Sequence, residues 1–306
     1  MGSCIAVCIP TYNAGKLWPL VIESIKKQTT PANKILIIDS GSKDDTVRLA
    51  INAGFETISI NPAEFNHGRT RQQLINSCPD ADICIFLTQD AILSNEYSLE
   101  NIIKPFEDTA IGLAYGRQLP HKNAKILEAH ARIFNYPDIS QIRNKSAIAK
   151  YGFKTIFCSN SFAAYRINAL NEVGGFPVND IMGEDTIVAA KMIIKGWNIA
   201  YVADAMVFHS HSYSFMQEYK RYFDTGVFHK QNEWLYEYFG KPAGEGVRFV
   251  LSECRFVLKR NFLLLFVIPI KTICKWMGYK RGYNYQKLSL DKIKKMSMHK
   301  RYWEKK

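Results

Sequence analysis

The chain has 306 residues, with 47% hydrophobic, 13% aromatic and 22% charged side chains. It can bury a sizeable core, and it is neither a disulfide-stapled miniprotein nor a disordered, collagen-like or coiled-coil chain. Its formal charge of +12 points to a polyanionic partner such as nucleic acid or a membrane surface.

Taken in chain order, the first hundred residues alternate two hydrophobic periods. Residues 5–9 are a short apolar run, followed by a turn over 10–15 and by Leu17, Leu20, Val21, Ser24 and Ile25 at helical spacing. Residues 35–38 form a second apolar run, with a polar turn at 39–44 and an amphipathic stretch at 46–53. A third strand is expected at 55–60, a helix at 69–77 and a fourth strand at 83–87. Buried apolar strands alternating with helices imply βαβ units and a parallel sheet covered on both faces. In such sheets ligands bind outside the carboxyl ends of the strands, so the residues just after each strand are the ones that matter.

Beyond residue 110 the alternation loosens. Strands are expected at 111–119, 161–166 and 197–202, and helices at 124–135, 168–173 and 186–195, the last opened by Gly183-Glu184-Asp185. Residues 147–157 read as a mixed linker. From about 241 the composition shifts to Leu, Phe, Lys and Arg, and the charge excess is confined there. Residues 241–306 hold 17 basic and 4 acidic side chains, a surplus of +13, whereas residues 1–240 hold 23 and 24.

The seven cysteines are scattered, mostly in apolar runs, and form no CxxC pair, which reads as reduced core thiols in a cytoplasmic protein. No signal peptide is expected, since the apolar run 5–9 is too short and is followed by turn residues. The longest charge-free apolar run, 262–270, is far below the roughly 20 residues that span a bilayer. No transmembrane helix is expected.

Three acids stand at strand ends or a helix start: Asp39, Asp90 and Asp185. One such acid alone is commonly a turn former or helix cap, and Glu184 with Asp185 could simply cap the helix that follows. Three on one rim of a sheet suggest a site. Asp39 precedes Ser40-Gly41-Ser42, a turn able to bring backbone amides near a ligand.

These segments resemble glycosyltransferase family 2. The resemblance is carried by Pro10-Thr11-Tyr12-Asn13, by Asp39-Ser40-Gly41-Ser42-Lys43-Asp44-Asp45-Thr46, by Thr88-Gln89-Asp90 and by Gly183-Glu184-Asp185. A narrower resemblance, to the rhamnosyltransferase branch that builds bacterial O-antigens and other surface polysaccharides, rests on four further segments. They are Phe65-Asn66-His67-Gly68-Arg69-Thr70-Arg71, Tyr115-Gly116-Arg117-Gln118-Leu119-Pro120, Val207-Phe208-His209-Ser210-His211-Ser212-Tyr213-Ser214 and Arg221-Tyr222-Phe223-Asp224-Thr225-Gly226. Together they cover roughly residues 4–230. The implied fold class is α/β: a GT-A type, Rossmann-like nucleotide-binding sheet with a mixed acceptor-side half, plus a C-terminal helical basic extension. The implied division is a catalytic domain at 1–240, with a nucleotide-sugar half at 1–110 and an acceptor half at 111–240, followed by a basic amphipathic extension at 241–306.

The resemblance also implies roles. Asp185, with Glu184 beside it, matches the general base that takes the acceptor's proton. Asp90 matches the metal-binding end of the family's Asp-X-Asp motif and His209 the second ligand of a divalent cation, Mg²⁺ or Mn²⁺. Thr88 stands where the family has its first acid. If the stretch around His209 is extended, His211 shares its face. Pro10, Thr11, Asn13, Asp39 and Gln89 would meet the nucleotide, although Ser40 replaces a second acid often found beside Asp39. Arg69 and Arg71, with the amides of their helix start, would meet the diphosphate. Arg117, Gln118, Ser159 and Asn160 would line the sugar or acceptor site.

The expected activity is inverting transfer of rhamnose from dTDP-rhamnose to a saccharide or lipid-linked acceptor. Another donor (UDP-galactofuranose, UDP-glucose or UDP-GlcNAc) and a non-catalytic polyanion-binding module are the alternatives. In the tail, apolar residues from Phe249 to Trp276 interleave with basic ones. That pattern suits an anionic membrane surface and a peripheral position on the cytoplasmic face; a helix pair packed on the body is the alternative. No nucleic-acid motif accompanies the charge, so nucleic acid is not an expected partner.

Overall fold

The computed structural model describes residues 3–241 and 244–304; Pro242 and Ala243, near the start of the expected extension, and Lys305 and Lys306 at its end lie outside the described residues. The chain divides into two compact units, one of 1–119, 136–178 and 184–209, the other of 120–135, 179–183 and 210–306. In the second unit α-helices outside the 241–306 segment cluster with helices inside it.

The first unit is built on a nine-stranded sheet. Its strands are β1 (Ile5–Thr11), β2 (Lys34–Asp39), β3 (Glu56–Ser59), β4 (Ile83–Leu87), β5 (Ile92–Leu93), β6 (Ile111–Leu119), β7 (Gln141–Arg143), β8 (Phe162–Arg166) and β9 (Asn198–Phe208). The order is β3-β2-β1-β4-β8-β6-β9-β5, with β7 paired to β9. Strands β1 to β4 are mutually parallel, and β8 enters antiparallel between β4 and β6. The expected mixed sheet is therefore present, with β8 antiparallel to both its neighbours and β5 and β7 antiparallel to β9. Its helices are α1 (Trp18–Lys26), α2 (Thr46–Asn52), α3 (His67–Asn76), α4 (Ser98–Ile103), then α6 (Ile148–Tyr151), α7 (Ile167–Glu172) and α8 (Glu184–Lys195), and α5 (Ile126–Asn135) belongs to the second unit. Val7, Ile9, Trp18, Ile37, Ile85, Leu87 and Phe162 are all but completely buried in one core cluster, because parallel strands bury both faces.

Several boundaries differ from those expected. The strand expected at 197–202 runs on to Phe208 and meets β6 along nearly its whole length. Its register shifts between Gly116 and Arg117, and there a Cβ on Gly116 would lie 2.3 Å from the Phe162 ring and 2.5 Å from Ala205 O, so glycine is needed where the bulged backbone closes in. Residues 209–214 are not extended strand. The stretch 147–157 is mostly short helical turns, and β5 and β7 are too short to leave a periodic signal.

The second unit is helical: α5, α9 (Phe215–Gln231), α10 (Trp234–Phe239), α11 (Glu245–Leu258), α12 (Val267–Tyr283) and α13 (Leu290–Met296). A capping box from Ser214 and Gln217 starts α9. Helix α12 lies against α9 at unusually short range. A Cβ on Gly278 would sit 2.2 Å from Tyr219 O, and one on Gly282 1.9 Å from Phe223 O. The helical stretch Phe262–Tyr283 is, among the described residues, long and apolar enough by length and composition to cross a membrane. The expectation of no such helix took the apolar run to end at Ile270; helix continues past Lys271 and Lys275, whose charges face α9 and Glu218.

Candidate active site

The carboxyl ends of β1 and β2 close on each other. Thr11, the last residue of β1, donates from Oγ1 to Asp39 Oδ1 at 2.9 Å, and Ser42 Oγ donates to the same oxygen at 2.6 Å. Asp39 Oδ2 accepts from the amides of Gly41 and Ser42 at 3.0 and 2.8 Å. A carboxylate offers about four acceptor positions, and here four donors fill them. Asp39 is buried and holds the 39–42 turn, with Gly41 at φ 83°. Asn13 joins the same loop, accepting from the Lys43 amide at 2.8 Å and donating its own amide to Ser42 Oγ at 2.7 Å. Gln89 grips the backbone of Tyr12 from both sides, accepting from its N–H at 2.7 Å and donating to its carbonyl at 3.1 Å. Pro10, Thr11, Asn13, Asp39 and Gln89 are thus brought together on one rim.

The next two residues on that rim are Asp90, just after β4, and His209, just after β9. His209 Nε2 is 3.5 Å from Asp90 Oδ1. Gln118 meets the other ring nitrogen. Its Nε2 donates to Ser159 Oγ at 2.9 Å, which turns Oε1 toward His209 Nδ1, also at 2.9 Å. Nδ1 thus faces an acceptor, and Nε2 is the ring nitrogen nearest the carboxylate. One imidazole nitrogen and one carboxylate oxygen, within 4.8 Å of each other, are a donor set that could hold a divalent cation.

The acid pair opens α8. Glu184 is buried and makes an ion pair with Arg71 at 3.1 Å; it also accepts from Asn160 Nδ2 at 3.0 Å. Burial works to raise the Glu184 pKa, but Arg71, His67 and the Asn160 amide outweigh it and hold the carboxyl below its usual range. Asp185 accepts from the Asn160 amide at 3.2 Å and from the Thr186 amide at 2.7 Å. Burial, and then the charge of Glu184, push Asp185 up to about 6. Asn160 therefore ties both acids together, and Tyr165 donates to its Oδ1 at 2.8 Å. The loop that holds Asn160 also holds Ser159, the partner of Gln118, and Ser161, whose carbonyl accepts from Thr88 two residues before Asp90. The acid pair and the Asp90–His209 pair are thus mounted on one segment.

Three further expected residues are placed on α3 and β6. Arg71 is buried against Glu184, with its guanidinium 5.9 Å from the Phe86 ring centre, so it serves the acid pair and not a diphosphate. Arg69 is exposed near the start of α3, but the amides of Gly68 and Arg69 are both taken by the Asn66 side chain, so those two donors are already used by the helix cap. Arg117 points to the opposite face of β6 from Gln118 and donates to Tyr136 O at 3.2 Å. Asn160, expected to meet substrate, spends its side chain on Glu184 and Tyr165. The Tyr165 role went unforeseen; its only signal was a hydroxyl in an apolar run, which needs a partner once buried. Gly68 was also unforeseen as a contact point, although a Cβ there would lie 1.7 Å from Pro177 O.

A family model described as Glycosyl transferase family 2 matches residues 6–174. The chain is 47% identical over 300 residues to the O-antigen chain rhamnosyltransferase RfbN of Salmonella typhimurium, covering 98% of this chain and 96% of that protein. It is 46% identical over 296 residues to the O-antigen chain rhamnosyltransferase WbaN of Salmonella anatum, covering 96% and 94%. Among solved structures, the mannosyltransferase PcManGT of Pyrobaculum calidifontis, in complex with GDP-Man and Mn²⁺, matches with a TM-score of 0.62 at 14% identity over 93% of this chain and 86% of its own. TarS 1–349 of S. aureus, in complex with UDP-GlcNAc, matches with a TM-score of 0.53 at 12% identity over 92% and 91%. Likeness at these identities bears on the fold.

Proposed function

The chain belongs to glycosyl transferase family 2, and on that premise we propose that it transfers rhamnose from dTDP-rhamnose, with inversion, to a saccharide or lipid-linked acceptor in O-antigen synthesis. The choice of sugar rests on near full-length relatives named as O-antigen chain rhamnosyltransferases. The observation that carries the chemistry is Asp185, held at the start of α8 by two amides and raised to about 6. A carboxylate of that basicity is ionised near neutral pH yet a better proton acceptor than an ordinary aspartate.

In this reading the acceptor hydroxyl gives its proton to Asp185 as its oxygen bonds to C1 of the sugar. The C1–oxygen bond to the diphosphate breaks on the opposite face, and the nucleoside diphosphate leaves with both electrons of that bond. Glu184, kept ionised by Arg71, raises the basicity of Asp185 without meeting the acceptor. Asp90 and His209 would hold a divalent cation, which supplies neutralisation of the diphosphate's charge when bound. The Pro10–Asn13 and Asp39–Ser42 loops, locked by Asp39 and Gln89, would receive the nucleotide. Residues 1–110 would then serve the donor and 111–240 the acceptor, while 241–306 would keep the protein on the cytoplasmic face of the membrane.

The test is turnover of dTDP-rhamnose with Mn²⁺ and a saccharide acceptor. Asp185→Asn is expected to lower kcat by about 10²–10⁴-fold, the usual worth of a general base, while dTDP-rhamnose binding stays intact. Retention of most activity would reduce Asp185 to a helix cap. Turnover of a UDP-sugar equal to that of dTDP-rhamnose would overturn the choice of donor.

A further inference from the structure

Helix α12 wears its polarity inside out. A helix on a water-exposed protein turns lysines to solvent and apolar residues to its neighbour. Here Lys271 and Lys275 are turned inward, their side chains only 17% and 18% exposed, with Nζ 3.5 and 3.8 Å from Glu218 Oε1 on α9. Gly278 and Gly282 complete that inner face by backbone contact with α9. The opposite face shows Ile270, Ile273, Trp276 and Met277, exposed by 50, 55, 60 and 37%, and Phe266 in the turn that leads into the helix is exposed by 73%. Their spacing of three or four residues makes one stripe on one side of a helix.

The chemistry around the stripe indicates what covers it. No acidic residue occurs between positions 262 and 283. Arg255, Lys259 and Arg260 are exposed just before the stripe, and Lys280 and Arg281 are exposed at its far end, roughly 21 Å from Phe266 along the helix at 1.5 Å per residue. Apolar side chains bracketed at both ends by cations, with a tryptophan among them, match an acyl boundary under anionic headgroups. A second copy of the chain would set these cationic ends against each other. Crossing of the bilayer is disfavoured because Lys271 and Lys275 are tied to Glu218 midway along the helix.

We propose that the exposed stripe of α12 is an interfacial anchor that lies in the surface of an anionic bilayer, with the flanking arginines and lysines on its headgroups. The proposal rests on the membrane-surface reading above and assigns it to particular side chains. The test compares the full chain with its Ile273→Ser/Trp276→Ser variant, by co-sedimentation with phosphatidylcholine vesicles lacking or containing phosphatidylglycerol. Both replaced residues are exposed, so the fold should survive. The variant is expected to lose at least about tenfold in binding to anionic vesicles, as follows from withdrawing two large apolar side chains from burial, with transfer to a soluble acceptor unchanged. Unaltered binding, or equal binding of the wild type to both vesicle types, would overturn the proposal. So would a wild-type dimer in sedimentation velocity that the variant dissolves, since a second copy would then cover the stripe. Should the variant misfold, quenching of wild-type tryptophan emission by brominated anionic lipid decides the matter: quenching that Trp276→Phe abolishes supports the anchor, and quenching that survives overturns it. Absence of any sugar transfer by the wild type would sink the transferase reading and leave the vesicle result standing.

Discussion

At Asp185 a raised pKa has two consequences of opposite sense. Below about pH 6 the carboxyl is protonated and cannot take the acceptor's proton, and above it the base is present. We therefore expect kcat/KM to rise with pH through about 6 and then level, and the residual activity of Asp185→Asn to lack that limb; a flat profile across the same range would separate Asp185 from the chemistry. The folded state also holds this proton more tightly than the unfolded chain, so ionising it as pH climbs from about 4 to 6 costs stability. Catalysis and stability pull apart at one carboxyl. Gln118 acts by a different route, through its bond to Nδ1 of His209. Gln118→Met keeps the length and removes the acceptor, and should weaken Mn²⁺ binding by about 10–100-fold, the usual effect of losing a partner behind a metal ligand; isothermal titration that finds no change would deny Gln118 that part. Asp90, His209, Asp185 and Gln118 were all marked out as candidates by motifs. Their couplings were not, because a bond between Gln118 and His209 spans 91 positions and leaves no local pattern. The same limit explains Arg71, whose charge looked suited to a diphosphate until its burial beside Glu184 was visible.

Among the elements, the close crossing of α9 and α12 is the most exacting. Gly282→Leu would drive a side chain into the Phe223 carbonyl, and overpacking of this kind costs about 1–3 kcal/mol or more. Gly246→Ala in α11, where a Cβ meets nothing within 4 Å, should be neutral or stabilise by about 0.5–1 kcal/mol. Urea denaturation followed by helical circular dichroism should separate the two, and equal stability of both variants would mean that the crossing tolerates expansion. The strong apolar runs at 5–9, 35–38 and 83–87 marked their strands well, since burial on both faces demands consecutive apolar residues. Strand β9 was cut short because Asp204 interrupts the run, although the bulge at Gly116 lets the chain pass that point and continue to Phe208.

For the whole molecule, the motifs implied a mixed sheet, and the insertion of β8 between β4 and β6 depended on pairings that composition does not encode. The charge division at residue 241 was visible in composition, but the units are interleaved: α9 is covered by α12, so truncation after Tyr238 would strip a packed helix as well as the basic surplus. Helix α5 shows the same interleaving. His130 bonds Ser252 at 2.9 Å, 122 residues later in the chain, and stands among the rings of Phe134, Phe249 and Phe256. A ribosome adds about 5–20 residues each second, so α5 emerges roughly 6–24 s before its partner exists. During that interval the nascent chain must carry an unfinished apolar helix, and the second unit can close only after α11 has been made.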